Sequence, residues 1–285
     1  MTTAGAVVVD VRLEPDDLRR QLADDVRAGL ASRPRELPPK WFYDETGCRL
    51  FDDITRLPEY YLTRTERGIL ESAAPSVAEL TRADVLVELG SGTSEKTRLL
   101  LDAMTAAGRL RRFVPFDVSE PTLRAAASAV AAEYPGLEVH AVVGDLDHHV
   151  GALPAGGRRA VAFLGSTLGN LRPAQRGRFM EGLRGSLRPG ESLLLGVDLV
   201  KERSRLEAAY DDREGVTAEF NRNVLRVLNR RLGADFVPEL WDHVARFDAG
   251  DEWVEMCLRS PLPQTVRVVA LGLEVAFEAG EEMRT

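Results

Sequence analysis

Apolar positions along the middle of the chain follow two alternating rhythms. Val85-Leu86-Val87-Glu88-Leu89 is a short, nearly continuous apolar run ending in glycine, the pattern of a strand buried on both faces. Leu99, Leu100, Ala103 and Met104 then repeat at helical spacing, with Thr93 or Ser94 placed to serve as N-cap. Residues 113–116 predict a second strand, 121–134 an alanine-rich helix, 137–143 a third strand and 159–164 a fourth. Pro173 opens a helix with Phe179, Leu183 and Leu187 on one face, stopped by Gly190, and residues 192–197 predict a fifth strand. Strands separated by helices across 85–198 argue for an α/β fold with a doubly wound, mostly parallel sheet.

The flanks read differently. Leu18, Leu22, Val26 and Leu30 mark an amphipathic helix within 16–35, and residues 38–66 are rich in aromatics and turn formers. Past Lys201, helices are predicted over 206–212 and 216–232, then β-like runs at 252–258 and 265–277. The expected organisation is a core at 67–200 and a second lobe built from both flanks, 16–66 and 201–285.

Composition narrows the class. Of 285 residues, 44% are hydrophobic and 29% charged, an ordinary globular balance. No run reaches the roughly 18 apolar residues of a membrane span, and the opening MTTAGAVVVDVRLEPDD has no basic region of a signal peptide. A formal charge of −8 argues against a general nucleic-acid binder, which needs surplus cations. Cys48 and Cys257 make neither a disulfide framework nor a zinc site, so the expected compartment is the reducing cytoplasm. His140, His148, His149 and His243 show no ligand spacing, so no metal is expected, and His148-His149 is read as an exposed loop.

The segment from Val87 to Thr97 is a strand, a Gly90-Ser91-Gly92 turn and a helix start, a backbone that can approach a ligand closely. The spacing of a nucleotide-phosphate P-loop is absent, and Glu95 stands where a dinucleotide fingerprint has its third glycine. A cationic or zwitterionic nucleoside suits an acidic loop better than a pyrophosphate, and S-adenosylmethionine is the common one. Asp117 ends the second strand, where a carboxylate can accept from ribose hydroxyls; Gly144-Asp145 ends the third, where one can accept from an adenine amino group. Gly165-Ser166-Thr167-Leu168-Gly169-Asn170 follows the fourth. Ligands in such sheets bind at the carboxyl ends of strands, so these ends together predict one site.

These segments, with Leu37-Pro38-Pro39-Lys40-Trp41-Phe42-Tyr43-Asp44, Arg56-Leu57-Pro58-Glu59-Tyr60-Tyr61, Thr63-Arg64-Thr65-Glu66, Asp211-Asp212 and Phe220-Asn221-Arg222-Asn223, carry a resemblance over about residues 16–285. The chain resembles the histidine-specific, S-adenosylmethionine-dependent methyltransferases of ergothioneine biosynthesis. The resemblance implies a Rossmann-like class I methyltransferase core and a substrate-binding second lobe. It implies successive Nα-methylation of L-histidine to the trimethyl betaine hercynine by a monomer without a metal. Gly90, Lys96, Asp117, Asp145 and Leu146 would line the cofactor site, Lys96 taking the methionine carboxylate. Tyr60, Asn170 and Tyr210 would hold the amino acid by positioning alone; as plain structure, Asn170 would cap the helix before Pro173. Alternatives are a methyltransferase of the same fold on another amino acid, or a truncated, weakly active or inactive binding protein. In the family, the match to Glu281-Glu282-Met283 and Thr285 runs on into a glutamate and a serine that grip the imidazole, then a helix and two sheet strands. On that comparison the chain is expected to lack a C-terminal segment, to leave its fifth strand as an unpaired apolar edge, and to be less stable and less active than a longer version.

Overall fold

The computed structural model describes residues 7–285; residues 1–6, the start of the segment read above as lacking a signal peptide, lie outside the described residues. The chain divides into two compact units. One gathers the described residues up to Glu14 with Leu62–Asp198, and the other Pro15–Tyr61 with Leu199–Thr285.

In the first unit, strands β1 (Val7–Val11), β2 (Val85–Leu89), β3 (Arg112–Asp117), β4 (Glu138–Val143), β5 (Arg159–Phe163) and β6 (Ser192–Leu195) form one sheet. Their spatial order is β1-β4-β3-β2-β5-β6, and every neighbouring pair is parallel. The sheet has one strand more than the five read from sequence. That strand is β1, registered Val7 on Val139 through Val11 on Val143, a pairing too distant along the chain for any local pattern to signal.

The period of two along each strand sorts side chains onto two faces. Leu86, Phe113, Val139 and Ala160 pack with Leu100, Met104 and Leu123, beneath helices Arg98–Ala106 and Glu120–Glu133. Val87, Val114, Phe116 and Val161 pack on the other face with Phe179 and Leu183 of helix Pro173–Ser186. Phe113 and Phe116 are wholly buried on opposite faces, so truncating either to alanine would cost about 3–5 kcal/mol.

Strand order runs outward from β2 to β3 and β4, then reverses to β5 and β6. The reversal leaves a crevice between the carboxyl ends of β2 and β5, the place where such sheets bind ligands. At the far edge, β6 pairs only with β5 among the described residues, and Leu195 and Val197 are exposed.

The second unit combines helices Pro15–Ala31, Glu45–Ile54, Arg203–Tyr210 and Val216–Leu232 with a four-stranded sheet. That sheet runs Arg35–Glu36, Glu282–Arg284, Trp253–Arg259, Asp242–Asp248. Ion pairs of Arg246 with Glu255 and Glu282, of Arg259 with Glu282 and of Arg284 with Glu255 lace three of its strands together. Three elements of this unit go beyond or differ from the sequence pattern. The turn-rich segment 38–66 contains a true helix, Glu45–Ile54, because Asp44 caps it by accepting from the Gly47 N–H at 2.8 Å. The run at 265–277 breaks at the 3-10 turn Val269–Leu271 and at Gly272, whose φ of +61° reverses the chain into an antiparallel hairpin, Gln264–Val268 with Leu273–Phe277. The strand Asp242–Asp248 was not foreseen. Among the described residues, no helix is long and apolar enough to cross a membrane.

Candidate functional site

The glycine loop leaves β2 with three residues in left-handed conformations: Gly90 (φ +66°), Gly92 (φ +49°) and Ser94 (φ +55°). Gly90 and Ser91 donate their N–H groups to the Phe116 carbonyl at 2.9 and 3.1 Å. Gly92 N–H donates to Asp117 Oδ2 at 2.9 Å, and the other Asp117 oxygen accepts from Ser119 N–H at 3.0 Å. The end of β3 therefore holds the loop from below. Burial raises the Asp117 carboxyl, opposed by these backbone donors. The following helix starts later than expected, at Arg98 after Thr97, and neither Thr93 nor Ser94 caps it. The Thr97 hydroxyl turns back instead onto Glu88.

Glu88 is the one charged residue within β2, and it is buried. Burial pushes its carboxyl up to about 7, against the pull of Thr97 and Ser94. Its Oε2 and the Ser91 hydroxyl are buried without a hydrogen-bond partner.

Lys96, later in the same loop, forms an ion pair with Glu66 from helix Tyr61–Thr81. The second Glu66 oxygen accepts from Gly165 N–H at 2.7 Å, at the carboxyl end of β5. A Cβ built on Gly196 would stand 2.0 Å from that oxygen, so the carboxylate occupies space that only glycine leaves open. Asp145 is buried after β4; its N–H donates to His149 Nδ1 at 3.0 Å, and Leu146 begins the short helix Leu146–His149 while packing on the second core face. His148 and His149 thus belong to a helical turn and not to a loop. Asn170 ends the 3-10 turn Thr167–Asn170 and is exposed. It does not cap the helix at Pro173, because Arg172 takes the N-cap position and its N–H donates to Gln175 Oε1 at 2.9 Å. Gly90, Lys96, Asp117, Asp145, Leu146 and Asn170 all leave the carboxyl ends of this one sheet.

In the second unit, the Tyr60 and Tyr210 rings meet edge to face at 6.1 Å. Tyr60 also contacts Phe51, which packs with Tyr43 and Phe220, giving a continuous aromatic cluster. Behind Tyr210 lies a neutral relay. Its carbonyl, left over at the end of helix Arg203–Tyr210, is 2.7 Å from His243 Nε2. His243 Nδ1 is 2.8 Å from Asn221 Nδ2, which also donates to the Cys257 carbonyl at 3.1 Å. A carbonyl accepts and an amide nitrogen donates, so the imidazole carries its proton on Nε2 and accepts at Nδ1. Burial holds the His243 imidazole below its usual range, opposed by its bond to Tyr210.

The profile of the family described as "histidine-specific methyltransferase, SAM-dependent" matches residues 22–285. The chain belongs to that family. It is 58% identical over 273 residues to the histidine N-alpha-methyltransferase of Mycolicibacterium smegmatis, covering 96% of this chain and 85% of that one. The Mycobacterium tuberculosis protein of the same name is 58% identical over 264 residues, covering 93% and 82%. Ergothioneine biosynthesis protein 1 of Neurospora crassa is 30% identical over 256 residues, covering 88% of this chain and 29% of that longer one.

The crevice of this methyltransferase fits the family's cofactor on its own chemistry. A Cβ on Gly90 or Gly92 would meet nothing within 4 Å, so the loop backbone faces open space. The unpartnered Glu88 and Ser91 oxygens add acceptors beneath it, which suit a cationic nucleoside. Sequence reasoning missed Glu66, Glu88 and the His243 relay. A signal existed for Glu88, an acid inside an otherwise apolar strand; for His243 there was none.

Proposed function

We propose that this methyltransferase transfers methyl groups from S-adenosylmethionine to the α-amino group of L-histidine, three in succession, giving hercynine for ergothioneine biosynthesis. The observation that carries the reading is the histidine-specific family match spanning residues 22–285. When bound, the cofactor supplies an electrophilic methyl on a sulfonium. Gly90 lets the backbone approach it, Lys96 takes its carboxylate, Asp117 accepts from ribose hydroxyls, and Asp145 with Leu146 holds the adenine. Tyr60, Tyr210 and Asn170 hold the amino acid. Their neutral groups orient an amine without stabilising its protonated form, which has no lone pair to donate. The rings around Tyr60 tolerate a headgroup that becomes permanently cationic as methyls accumulate. Their role is alignment, which can contribute most of the acceleration in a bimolecular transfer.

The same reading has the protein working as a monomer in the cytoplasm, checked by sedimentation of the pure protein and by cell fractionation. Mass spectrometry of L-histidine incubated with protein and cofactor should reveal mono-, di- and trimethylated products. Methylation of other amino acids while histidine stays unmodified would refute the assignment.

A further inference from the structure

An α-amino acid head carries two opposite charges on one carbon. A site that grips its carboxylate with a cation therefore needs an anion close beside that cation for the ammonium. Glu66, Glu88, Asp117 and Asp145 are among the carboxylates at this end of the sheet. Asp117 is engaged by Gly92 and Ser119 N–H groups. Asp145 lies beyond β4, two strands from β2 in the sheet. Glu88 is buried beneath the loop and bound by Thr97. Glu66 alone of the four is hydrogen-bonded to the Lys96 ammonium itself.

Glu66 is also placed where the ligand end of the sheet opens. Through Gly165 N–H it is anchored to the end of β5, and through Lys96 to the loop after β2, so it spans the point at which strand order reverses. The two side chains are 22% and 15% exposed, screened enough to strengthen their electrostatics yet open to a ligand. Each Glu66 oxygen accepts one hydrogen bond here and has a further lone pair. A Lys–Glu pair of this kind presents a plus and a minus side by side, the complement of a zwitterion's minus and plus.

The geometry points to Glu66 as the residue that binds the ammonium of the cofactor's amino-acid head, acting beside Lys96 as one zwitterion-recognising pair. This rests on the S-adenosylmethionine reading above. It goes further in giving Glu66 direct ligand contact, and it makes the pair, not Lys96 alone, the source of selection for an intact amino acid.

The test is calorimetric titration of the full chain with three probes. S-adenosylhomocysteine carries both charges, its decarboxylated analogue carries only the ammonium, and 5′-methylthioadenosine carries neither. Glu66→Gln keeps an acceptor for Gly165 and removes the charge. It should weaken S-adenosylhomocysteine and the decarboxylated analogue roughly tenfold or more, and leave methylthioadenosine unchanged. Lys96→Met should weaken S-adenosylhomocysteine and spare the decarboxylated analogue. Equal losses for all three probes in Glu66→Gln would overturn the proposal in favour of a structural role. So would no loss at all, or loss for S-adenosylhomocysteine with the decarboxylated analogue spared, which would mean that Glu66 acts only through Lys96. Wild-type protein binding methylthioadenosine as tightly as S-adenosylhomocysteine would also refute it, with a nucleoside site left standing. Wild type binding none of the three would overturn the cofactor reading itself, and the proposal with it. If Glu66→Gln does not fold, Glu66→Asp, which keeps the charge but draws it back by one methylene, should show the same ranking of probes.

Discussion

Each unit sets a titratable group behind its candidate site, Glu88 buried and His243 half-buried, and the two are tuned in opposite senses. In the first, Glu88 lies under the glycine loop with burial raising its carboxyl to about 7 and one oxygen unpartnered. In the second, His243 stands behind Tyr210 with both ring nitrogens engaged and burial keeping it neutral. Glu88 is costly as an anion, because burial outweighs the help of Thr97, Ser94 and the nearby Lys96 charge. His243 is satisfied as a neutral ring, and a proton would spoil it. The contrast is between an acid kept from losing its proton and a base kept from gaining one.

The largest expected effect comes from Glu88. Its folded carboxyl titrates near 7 against an ordinary value of 4.5, so between those pH values the folded state holds a proton that the unfolded chain has released. Stability contributed at low pH is therefore lost as pH rises across that window, by about 3 kcal/mol in total. Urea denaturation of ligand-free wild type and Glu88→Gln across the window should show that slope in wild type only; parallel curves would remove Glu88 from the comparison.

Asp117→Ala comes next, since it frees the Gly92 and Ser119 N–H groups and deletes the acceptor proposed for the ribose. Affinity for S-adenosylhomocysteine should fall roughly 100-fold by calorimetry, and an unchanged affinity would show that the loop does not depend on its anchor. Within the second unit, His243→Phe removes the donor to the Tyr210 carbonyl. Histidine binding should weaken about tenfold while methylthioadenosine binding holds, and His243→Gln, which keeps a donor at the distal position, should restore most of it. The smallest effect sharpens the contrast through pH. Because His243 resists protonation when folded, its own contribution to stability shrinks as pH falls through the ordinary histidine range near 6.5, opposite in sign to the Glu88 slope. His243→Gln should lose less there, and the difference can be read from melting curves at successive pH values.

Much of the first unit was legible because its signals are local. Apolar runs ending at Gly90, Asp117, Gly144 and Gly165 mark strands that deliver polar groups to one edge, and the structure puts them there. What stayed hidden depends on partners far along the chain. Val7–Val11 is a strand only because β4 is available beside it, and Asp242–Asp248 reads Asp-His-Val-Ala-Arg-Phe-Asp, a mixed pattern that pairing with Trp253–Arg259 resolves. The helix starting at Tyr61 carries charged residues around its first turns and Pro75 in its interior, which obscured its period. The site shows the same division. Asp117 and Asp145 follow from position on a strand, whereas Glu66 reaches Lys96 and Gly165 only through the fold.

Gly196 carries a consequence of a different kind. Glycines are usually retained for backbone freedom, and Gly196 is not among the positive-φ residues. Its restriction comes chiefly from the Glu66 carboxylate filling the place of a Cβ, with the Leu164 backbone close by. The two positions are therefore coupled: a side chain at 196 would displace the Glu66 carboxylate from its place on Gly165 N–H, besides crowding the Leu164 backbone at 3.2 Å. Among relatives, a side chain at 196 should travel with a change at 66, making an unremarkable glycine the visible trace of a charge that it never touches by charge of its own.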